Sequence, residues 1–208
     1  MECTRSILRS SGRLEDSEEE EEEWRDALSL CPWPENREGN CILLVEGSRV
    51  RVNKMYLSMH SHFFDRMFYG DFSAPADNRY EVKKVGKVAF IQMLRVILPI
   101  RKPIDGNNVE ALLVIADRFF MDNLRRECIA FLCSDTEAAN SVTCVDLILL
   151  AFRCGIEELK DCVSARLSRR ENNANLRKLA RFDEIKDDNV ALRWLCDTLI
   201  TTPRRMTG

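Results

Sequence analysis

The 208-residue sequence lacks the features that several large classes of protein require. Its longest apolar runs, such as residues 147–152, fall far short of the roughly 20 residues that a membrane span needs. It contains neither Gly-x-x-x-x-Gly-Lys nor Gly-x-Gly-x-x-Gly, so no glycine loop for phosphate is indicated. Cys-x-x-Cys is absent, which argues against zinc fingers and RING sites. Lys and Arg total 31 against 34 Asp and Glu, so direct nucleic-acid binding is not favoured.

Histidine is scarce as well. The two histidines, His60 and His62, lie on a predicted helix, where a spacing of two places them on different faces. We therefore interpret them as solvent or interface residues. No other pattern suggests a nucleophile, a metal site or a cofactor site, so we expect no catalytic residues, no metal, no cofactor and no enzymatic activity.

The charged clusters have structural interpretations. Asp183-Glu184 and Asp187-Asp188 fall near a predicted helix start, where acids favour the positive end of the helix dipole. Arg166, Arg169 and Arg170 have helical spacing and are interpreted as a solvated C-terminal turn.

Nine cysteines are present, an odd number with irregular spacing. Free thiols in a reducing compartment explain them better than disulfides do, because thiols within apolar helical patterns behave as small buried hydrophobic groups. No signal peptide or membrane segment is indicated, so we expect an intracellular protein, cytoplasmic, nuclear or both. The cysteines in such patterns are Cys128, Cys133, Cys144, Cys154 and Cys162.

Composition divides the N-terminal region into two parts. Residues 1–23 are predicted to be a disordered acidic tail, because Glu18–Glu23 is an unbroken run preceded by Glu15 and Asp16. This tail is either a solvated segment or an acidic ligand for a basic partner. Residues 24–38 carry tryptophans, leucines and prolines, and we expect them to pack on the protein body or on a second subunit.

From residue 42 onward, strands give way to helices. Residues 42–45 and 49–52 predict a hairpin around Gly47, with Val50 and Val52 inward and the first strand apolar on both faces. A helix over 54–69, a strand over 79–82 and a helix over 90–98 are predicted next. Asn107 is the predicted N-cap of the following helix.

Residues 134–200 are predicted to be all helical. Thr143 and Asp146 resemble a capping box, and Gly155 suits the end of that helix. Further helices are predicted over 156–167, 175–182 and 188–200, the last with Leu192, Leu195, Cys196 and Leu199 on one face.

The order of these elements and the residues in them resemble the BTB/POZ family. The family's opening signature is found as Val45-Glu46-Gly47, Val50-Arg51-Val52, Lys54, Leu57, Ser61, Phe64 and Met67-Phe68. Its second half is matched by Phe90–Leu98, Asn108–Asp117, Arg118-Phe119, Leu124, Cys128 and Phe131-Leu132. The resemblance implies an α+β fold over 39–133, a small sheet flanked by helical hairpins. Residues 134–200 are similar to the 3-box or BACK helical extension of ubiquitin-ligase adaptors, and 201–208 form a tail.

The resemblance also implies partners. In this family two subunits associate through the first helix and the segment before the first strand, which indicates a homodimer. A cullin-3 ubiquitin ligase would bind beside the second helix. By position, the dimer contacts are Leu28, Leu30, Trp33, Met55, Tyr56 and Met59, and the cullin-facing residues are Phe68, Tyr69 and Phe72.

Three positions depart from the family pattern. Asn53 replaces the usual histidine and Asn40 the usual acid, so a charged pocket is not expected here. Ala74 stands where cullin-3 adaptors commonly have glutamate, although the hydrophobic residue of that motif is present as Phe72.

Two non-enzymatic functions remain open on this basis, and an enzyme of unknown type is the least favoured alternative. One is a dimeric adaptor that brings a cullin-3 ligase to an unknown substrate protein, and the other is a homo- or hetero-oligomeric scaffold that binds no cullin. The sequence shows no MATH domain, Kelch repeats or zinc fingers, so a substrate receptor is not recognisable.

Overall fold

The computed structural model describes residues 39–70, 75, 77–99, 102–168 and 181–201. Predictions for 1–23, 24–38 and the residues after 201 therefore lie outside the described residues. The strands are β1 (Asn40–Val45), β2 (Ser48–Asn53) and β3 (Arg79–Val82). The first helices are α1 (Lys54–His60), α2 (His62–Tyr69), α3 (Lys87–Ile97), α4 (Val109–Arg118) and α5 (Asp122–Leu132). They are followed by α6 (Glu137–Asn140), α7 (Cys144–Arg153), α8 (Glu157–Leu167), α9 (Phe182–Asp187) and α10 (Asn189–Thr201).

A small sheet with the order β2-β1-β3 confirms the predicted hairpin and inner strand. β1 pairs with β2 antiparallel and with β3 parallel. Gly47 has a positive φ in the turn between β1 and β2, a conformation that glycine adopts without strain. Val50 and Val52 are buried while Arg49 and Arg51 are exposed, as the alternation predicted.

The predicted helix over 54–69 is wrong as a single element, because Ser61 interrupts it. Ser61 has extended backbone (φ −147°, ψ 117°), and its Oγ accepts a hydrogen bond from the Phe64 amide as the N-cap of α2. The same hydroxyl donates to the Phe119 carbonyl at 2.6 Å. Ser61 is buried, so both bonds form away from water. The chain therefore leaves α1 and re-enters a helix in a new direction.

The predicted N-cap at Asn107 is also wrong. α4 begins at Val109, and the turn before it is built by Asp105 and Asn108. Asp105 Oδ1 accepts from the amides of Asn107 and Asn108, while Asn108 Oδ1 accepts from the Asp105 amide at 2.9 Å. The two side chains close the turn reciprocally, and Asn107 only contributes its backbone.

The chain divides into two compact units. Unit 1 comprises Met1–Ile104 and Ala111–Arg126 and contains the sheet. Unit 2 comprises Asp105–Glu110 and Glu127–Gly208, and all of its described elements are helical. A sheet-containing unit and a helical unit confirm the predicted α+β class with a helical extension.

Aromatic side chains fill the interior of unit 1. The Phe64 ring centroid lies 5.0 Å from that of Phe119, 5.8 Å from Phe68 and 6.2 Å from Phe90. Phe64, Phe90 and Phe119 are fully buried. Because rings of this size bury large apolar areas, this cluster holds α2, α3 and the end of α4 together.

The caps of α7 follow the prediction. Thr143 Oγ1 accepts from the Asp146 amide at 3.2 Å, and Asp146 Oδ2 accepts from the Thr143 amide at 3.3 Å, which completes a capping box. Gly155 follows the helix with φ +61°, the left-handed conformation common after a helix end.

Arg166 contradicts the predicted solvated turn. Its side chain is buried, with only 7% of its surface exposed. Nη2 donates to the Leu132 carbonyl at 2.7 Å, Nη1 to the Val142 carbonyl at 3.0 Å, and both nitrogens to the Ala139 carbonyl at 3.3 Å. Arg166 thus satisfies the carbonyls at the ends of α5 and α6. Arg169 and Arg170 lie outside the described residues.

The thiols divide by position. No disulfide joins the described cysteines, and burial raises the pKa of Cys41 and of Cys128 to about 12. These two thiols are therefore inert packing groups. Cys133 and Cys196 are exposed, which contradicts their predicted placement in apolar faces. Cys133 follows the last residue of α5, and in α10 the buried residues are Ala191 and Leu195.

Candidate interaction surface

The outer side of α1 carries two exposed methionines. Met55 and Met59 are one helical turn apart and are 66% and 75% exposed, whereas Leu57 between them is fully buried. A helix normally directs one apolar stripe into its own core. α1 has that stripe through Leu57 and a second apolar pair on another side, which we call the methionine face (Met55 and Met59).

Tyr56 lies between the methionine face and the interior of unit 1. Its hydroxyl donates to the Ile97 carbonyl at the end of α3, and its ring packs on His60 with centroids 4.7 Å apart. Tyr56 is half-buried. It therefore fixes the orientation of α1 on unit 1, a role that the sequence pattern did not indicate.

The start of α1 is neutral where a charged pair is expected of the family. Asn53 Oδ1 accepts from the Tyr56 amide at 3.1 Å as the N-cap, and its Nδ2 donates to Asn40 Oδ1 at 3.4 Å. Lys54 turns to β3, where its Nζ donates to the Tyr80 hydroxyl at 3.0 Å. Two amides thus join β1 to the helix without an ionisable group at either position.

The predicted cullin-facing residues at the end of α2 differ in burial. Phe68 is buried and its ring packs edge-on against Tyr80, with centroids 5.1 Å apart. Tyr69 is 59% exposed. Phe68 is therefore a core residue and Tyr69 a surface residue, and Phe72 lies outside the described residues, as do Leu28, Leu30 and Trp33.

Unit 2 contains a cluster of charged side chains that the sequence pattern did not predict. Arg181 donates to Glu110 Oε2 and Asp146 Oδ1, each at 3.0 Å, and to Glu184 Oε1 at 2.9 Å. Arg153 donates to the second oxygen of Glu184. The three carboxylates come from α7, α9 and the first turn of α4, and all three lie within unit 2. We call this set the Arg181 cluster.

Opposing effects set the proton affinities in the Arg181 cluster. Burial tends to lower the pKa of Arg181, but hydrogen bonds and charges from Glu184 and Glu110 outweigh it and raise that pKa. Burial tends to raise the pKa of Glu184, but Arg181 and Arg153 together lower it. Both pKa shifts favour the charged forms of Arg181 and Glu184, so they stabilise this ion pair.

The predicted helix over 175–182 is corrected by Arg181 itself. Arg181 has a left-handed backbone (φ 67°, ψ 4°) and precedes the first residue of α9, Phe182. Residues 175–180 lie outside the described residues. The Arg181 cluster could be suspected from sequence only by pairing an arginine with acids 35 and 71 residues away, which periodicity does not reveal.

The described ranges contain no group of three or more His, Cys, Asp or Glu side chains that could hold a metal ion. Within the same ranges, no helix has the length and apolar character needed to cross a bilayer. His62 is exposed on α2 and His60 packs on Tyr56. The exposed side chains of Met55, Met59 and Tyr69 offer apolar and aromatic contact.

Comparison with known proteins identifies the region that carries this surface. The family model described as the BTB/POZ domain matches residues 35–136. BTB and MATH domain-containing protein 36 from Caenorhabditis elegans is 32% identical over 102 residues, which are 49% of this chain and 32% of that protein. Kelch-like protein 7 from Gallus gallus is 27% identical over 119 residues, which are 57% of this chain and 20% of that protein.

The BTB (Tramtrack and Bric a brac) domain of human Gigaxonin superposes with a TM-score of 0.41 and 16% sequence identity, covering 58% of this chain and 97% of that domain. Each curated relative is matched over less than two thirds of its own length.

Proposed function

Because residues 35–136 are a BTB/POZ domain, which is a protein-interaction module, we propose that this chain forms a homodimer and recruits a cullin-3 ubiquitin ligase to a substrate protein. The proposal assigns no bond-making step to the chain. Its contribution is to hold partners together, since linkage raises their effective concentration without any new contact.

The methionine face carries the dimer part of the proposal. Burial of an exposed methionine side chain contributes about 1.5–3 kcal/mol, and methionine adapts its shape to an irregular partner surface. In a two-fold dimer each patch meets its own copy, so every contact forms twice. Tyr56 supports this arrangement because its bond to Ile97 holds α1 in one orientation.

The first experiment measures molar mass by light scattering over a concentration series. Met55→Asp/Met59→Asp is expected to weaken the dimer by at least about 100-fold, equivalent to about 2.7 kcal/mol. The matched control is Phe120→Asp, which places the same charge on an apolar residue of unit 1 that is 60% exposed and lies outside α1. A wild-type monomer, or equal loss in the control, would contradict a dimer through this face.

The cullin part of the proposal concerns the surface at Tyr69, supported from below by Phe68. We expect Tyr69→Arg and Phe72→Arg each to weaken binding of purified cullin-3 by about tenfold or more, because an aromatic anchor at an interface carries much of its energy. Phe120→Arg serves as the matched aromatic control. The readout is titration calorimetry with circular dichroism as a check of folding.

The alternative is an oligomeric scaffold that binds no cullin. Ala74 favours it, because cullin-3 adaptors commonly carry glutamate at that position. A dimer that shows no heat with cullin-3 supports the scaffold, and restoration of binding by Ala74→Glu would identify that position as the cause.

A further inference from the structure

The outer face of the sheet combines apolar and cationic side chains. In the β1–β2 register, Ile42 stands opposite Arg51 and Leu44 opposite Arg49. Residues directly opposite in a sheet point to the same face. Ile42 and Leu44 are half-buried while their neighbours Cys41, Leu43 and Val45 are buried on the inner face. An apolar strip therefore lies beside two exposed arginines.

β3 extends the same face on the other side of β1. Arg79 stands opposite Ile42, and Glu81 stands opposite Leu44. Arg79 lies 3.8 Å from Asp77, and Glu81 lies 3.2 Å from Lys83 Nζ. Arg79 and Glu81 thus each have a local partner of opposite sign, and Arg49 and Arg51 carry positive charge on the exposed side of β2. We call this surface the arginine face (Ile42, Leu44, Arg49, Arg51 and Arg79).

A complementary sequence exists in the same chain. Residues 15–23 hold eight acids in nine positions, and Trp24 follows immediately. The 15 residues from 25 to 39 can span up to about 50 Å at roughly 3.3–3.6 Å per residue, whereas β1, with six residues, is about 20 Å long. The acidic segment can therefore reach any point on the sheet.

We propose that residues 15–24 dock on the arginine face of their own chain. The carboxylates bind Arg49 and Arg51, since guanidinium groups pair with carboxylates through two parallel hydrogen bonds. Trp24 covers Ile42 and Leu44. Ion pairs with the arginines alone would leave these two apolar side chains exposed to water. The inference goes beyond the proposed dimer and the cullin surface, because it uses neither the methionine face nor Tyr69.

The test uses the full-length chain with Arg49→Lys/Arg51→Lys, treated with a carbodiimide that joins a carboxylate to a nearby lysine amine. We expect intrachain cross-links from residues 15–23 to positions 49 and 51, mapped by mass spectrometry. Arg126→Lys, an exposed α5 position of unit 1, is the matched control and should give at least about tenfold fewer. At 1 M salt, where the Debye length is about 3 Å, the difference should shrink several-fold.

A second measurement avoids replacing arginine by lysine, because the two side chains bind carboxylates with different geometry. Hydrogen exchange of residues 15–24 should accelerate several-fold in Arg49→Glu/Arg51→Glu and be unchanged in Arg126→Glu. Equal cross-linking at all exposed lysines, cross-links only between isotopically light and heavy chains, or identical exchange in both variants would overturn the proposal. Replacing residues 20–23 by lysines in the Arg49→Glu/Arg51→Glu chain should restore slow exchange.

Discussion

Units 1 and 2 reach a buried interior by different means. The interior of unit 1 centres on four phenylalanines, with Phe64 contacting the other three. Unit 2 relies on aliphatic side chains supplemented by two arginines, Arg166 within the core and Arg181 in its cluster. Apolar contact is non-directional, whereas a guanidinium stabilises only the geometry that places acceptors at its five N–H groups.

This difference predicts different sensitivities. Unit 1 should respond mainly to lost volume. Unit 2 should respond to the loss of single hydrogen-bond donors and to acid, because Arg181 and Arg153 lower the pKa of Glu184. Substitutions at Phe64, Arg166 and Glu184 test the two kinds of interior separately.

The largest effect is expected from Phe64→Ala in unit 1. Phe64 is fully buried and contacts Phe68, Phe90 and Phe119. Removing its ring leaves a cavity that costs about 4 kcal/mol of unfolding free energy. Urea unfolding followed by circular dichroism measures this loss. Tyr69→Ala, which truncates an exposed ring on the same helix, should change stability by less than about 0.5 kcal/mol.

Arg166→Met should rank second, and it acts in unit 2. Methionine keeps most of the volume but leaves the carbonyls of Leu132, Ala139 and Val142 without these donors, at a cost of about 3 kcal/mol. Fluorescence of Trp194, which packs on Phe152 in unit 2, reports the unfolding in a chain carrying Trp24→Phe and Trp33→Phe. Arg193→Met, at an exposed position of α10, is the control, and equal losses would show that the carbonyl bonds contribute nothing.

The smallest effect is a pH dependence from Glu184. Its pKa is lowered in the folded chain by Arg181 and Arg153 acting against burial. Its stabilising contribution is complete above the ordinary glutamate pKa of about 4.3 and is lost as the pH falls through the lowered folded value. Glu184→Gln should therefore flatten the acid side of the urea-midpoint profile, read by Trp194 fluorescence. Asp183→Asn, at a more exposed neighbouring carboxylate, should leave the wild-type slope.

The sheet could be predicted from sequence because its determinants are local. Alternation at Val50 and Val52 and the glycine turn at Gly47 act within a few residues. The break at Ser61 could not, since its cause is the Phe119 carbonyl, 58 residues away in the sequence. Periodicity continues through Ser61, and only tertiary structure supplies the acceptor.

The same reasoning explains why Arg166 was wrongly predicted to be solvent-exposed. Helical spacing near a C-terminus ordinarily indicates a solvated cation, and nothing local shows that Leu132 and Ala139 will present carbonyls to it. For the interaction surface, the pattern located Met55 and Met59 on one side of α1, which their exposure matches. The pattern did not separate buried Phe68 from exposed Tyr69, because adjacent residues on a short helix give one periodic signal.

The break at Ser61 has a consequence for how this protein can change over evolutionary time. Because α1 and α2 are separate helices, the exposed side chains of Met55 and Met59 lie on a different helix from the buried rings of Phe64 and Phe68. Substitutions at those two exposed positions should cost less folding stability than substitutions of Phe64 or Phe68, so the exposed face can change while the core stays intact. Ser61 thereby separates the exposed positions of α1 from the buried rings of α2, while the fully buried Leu57 keeps α1 attached to unit 1.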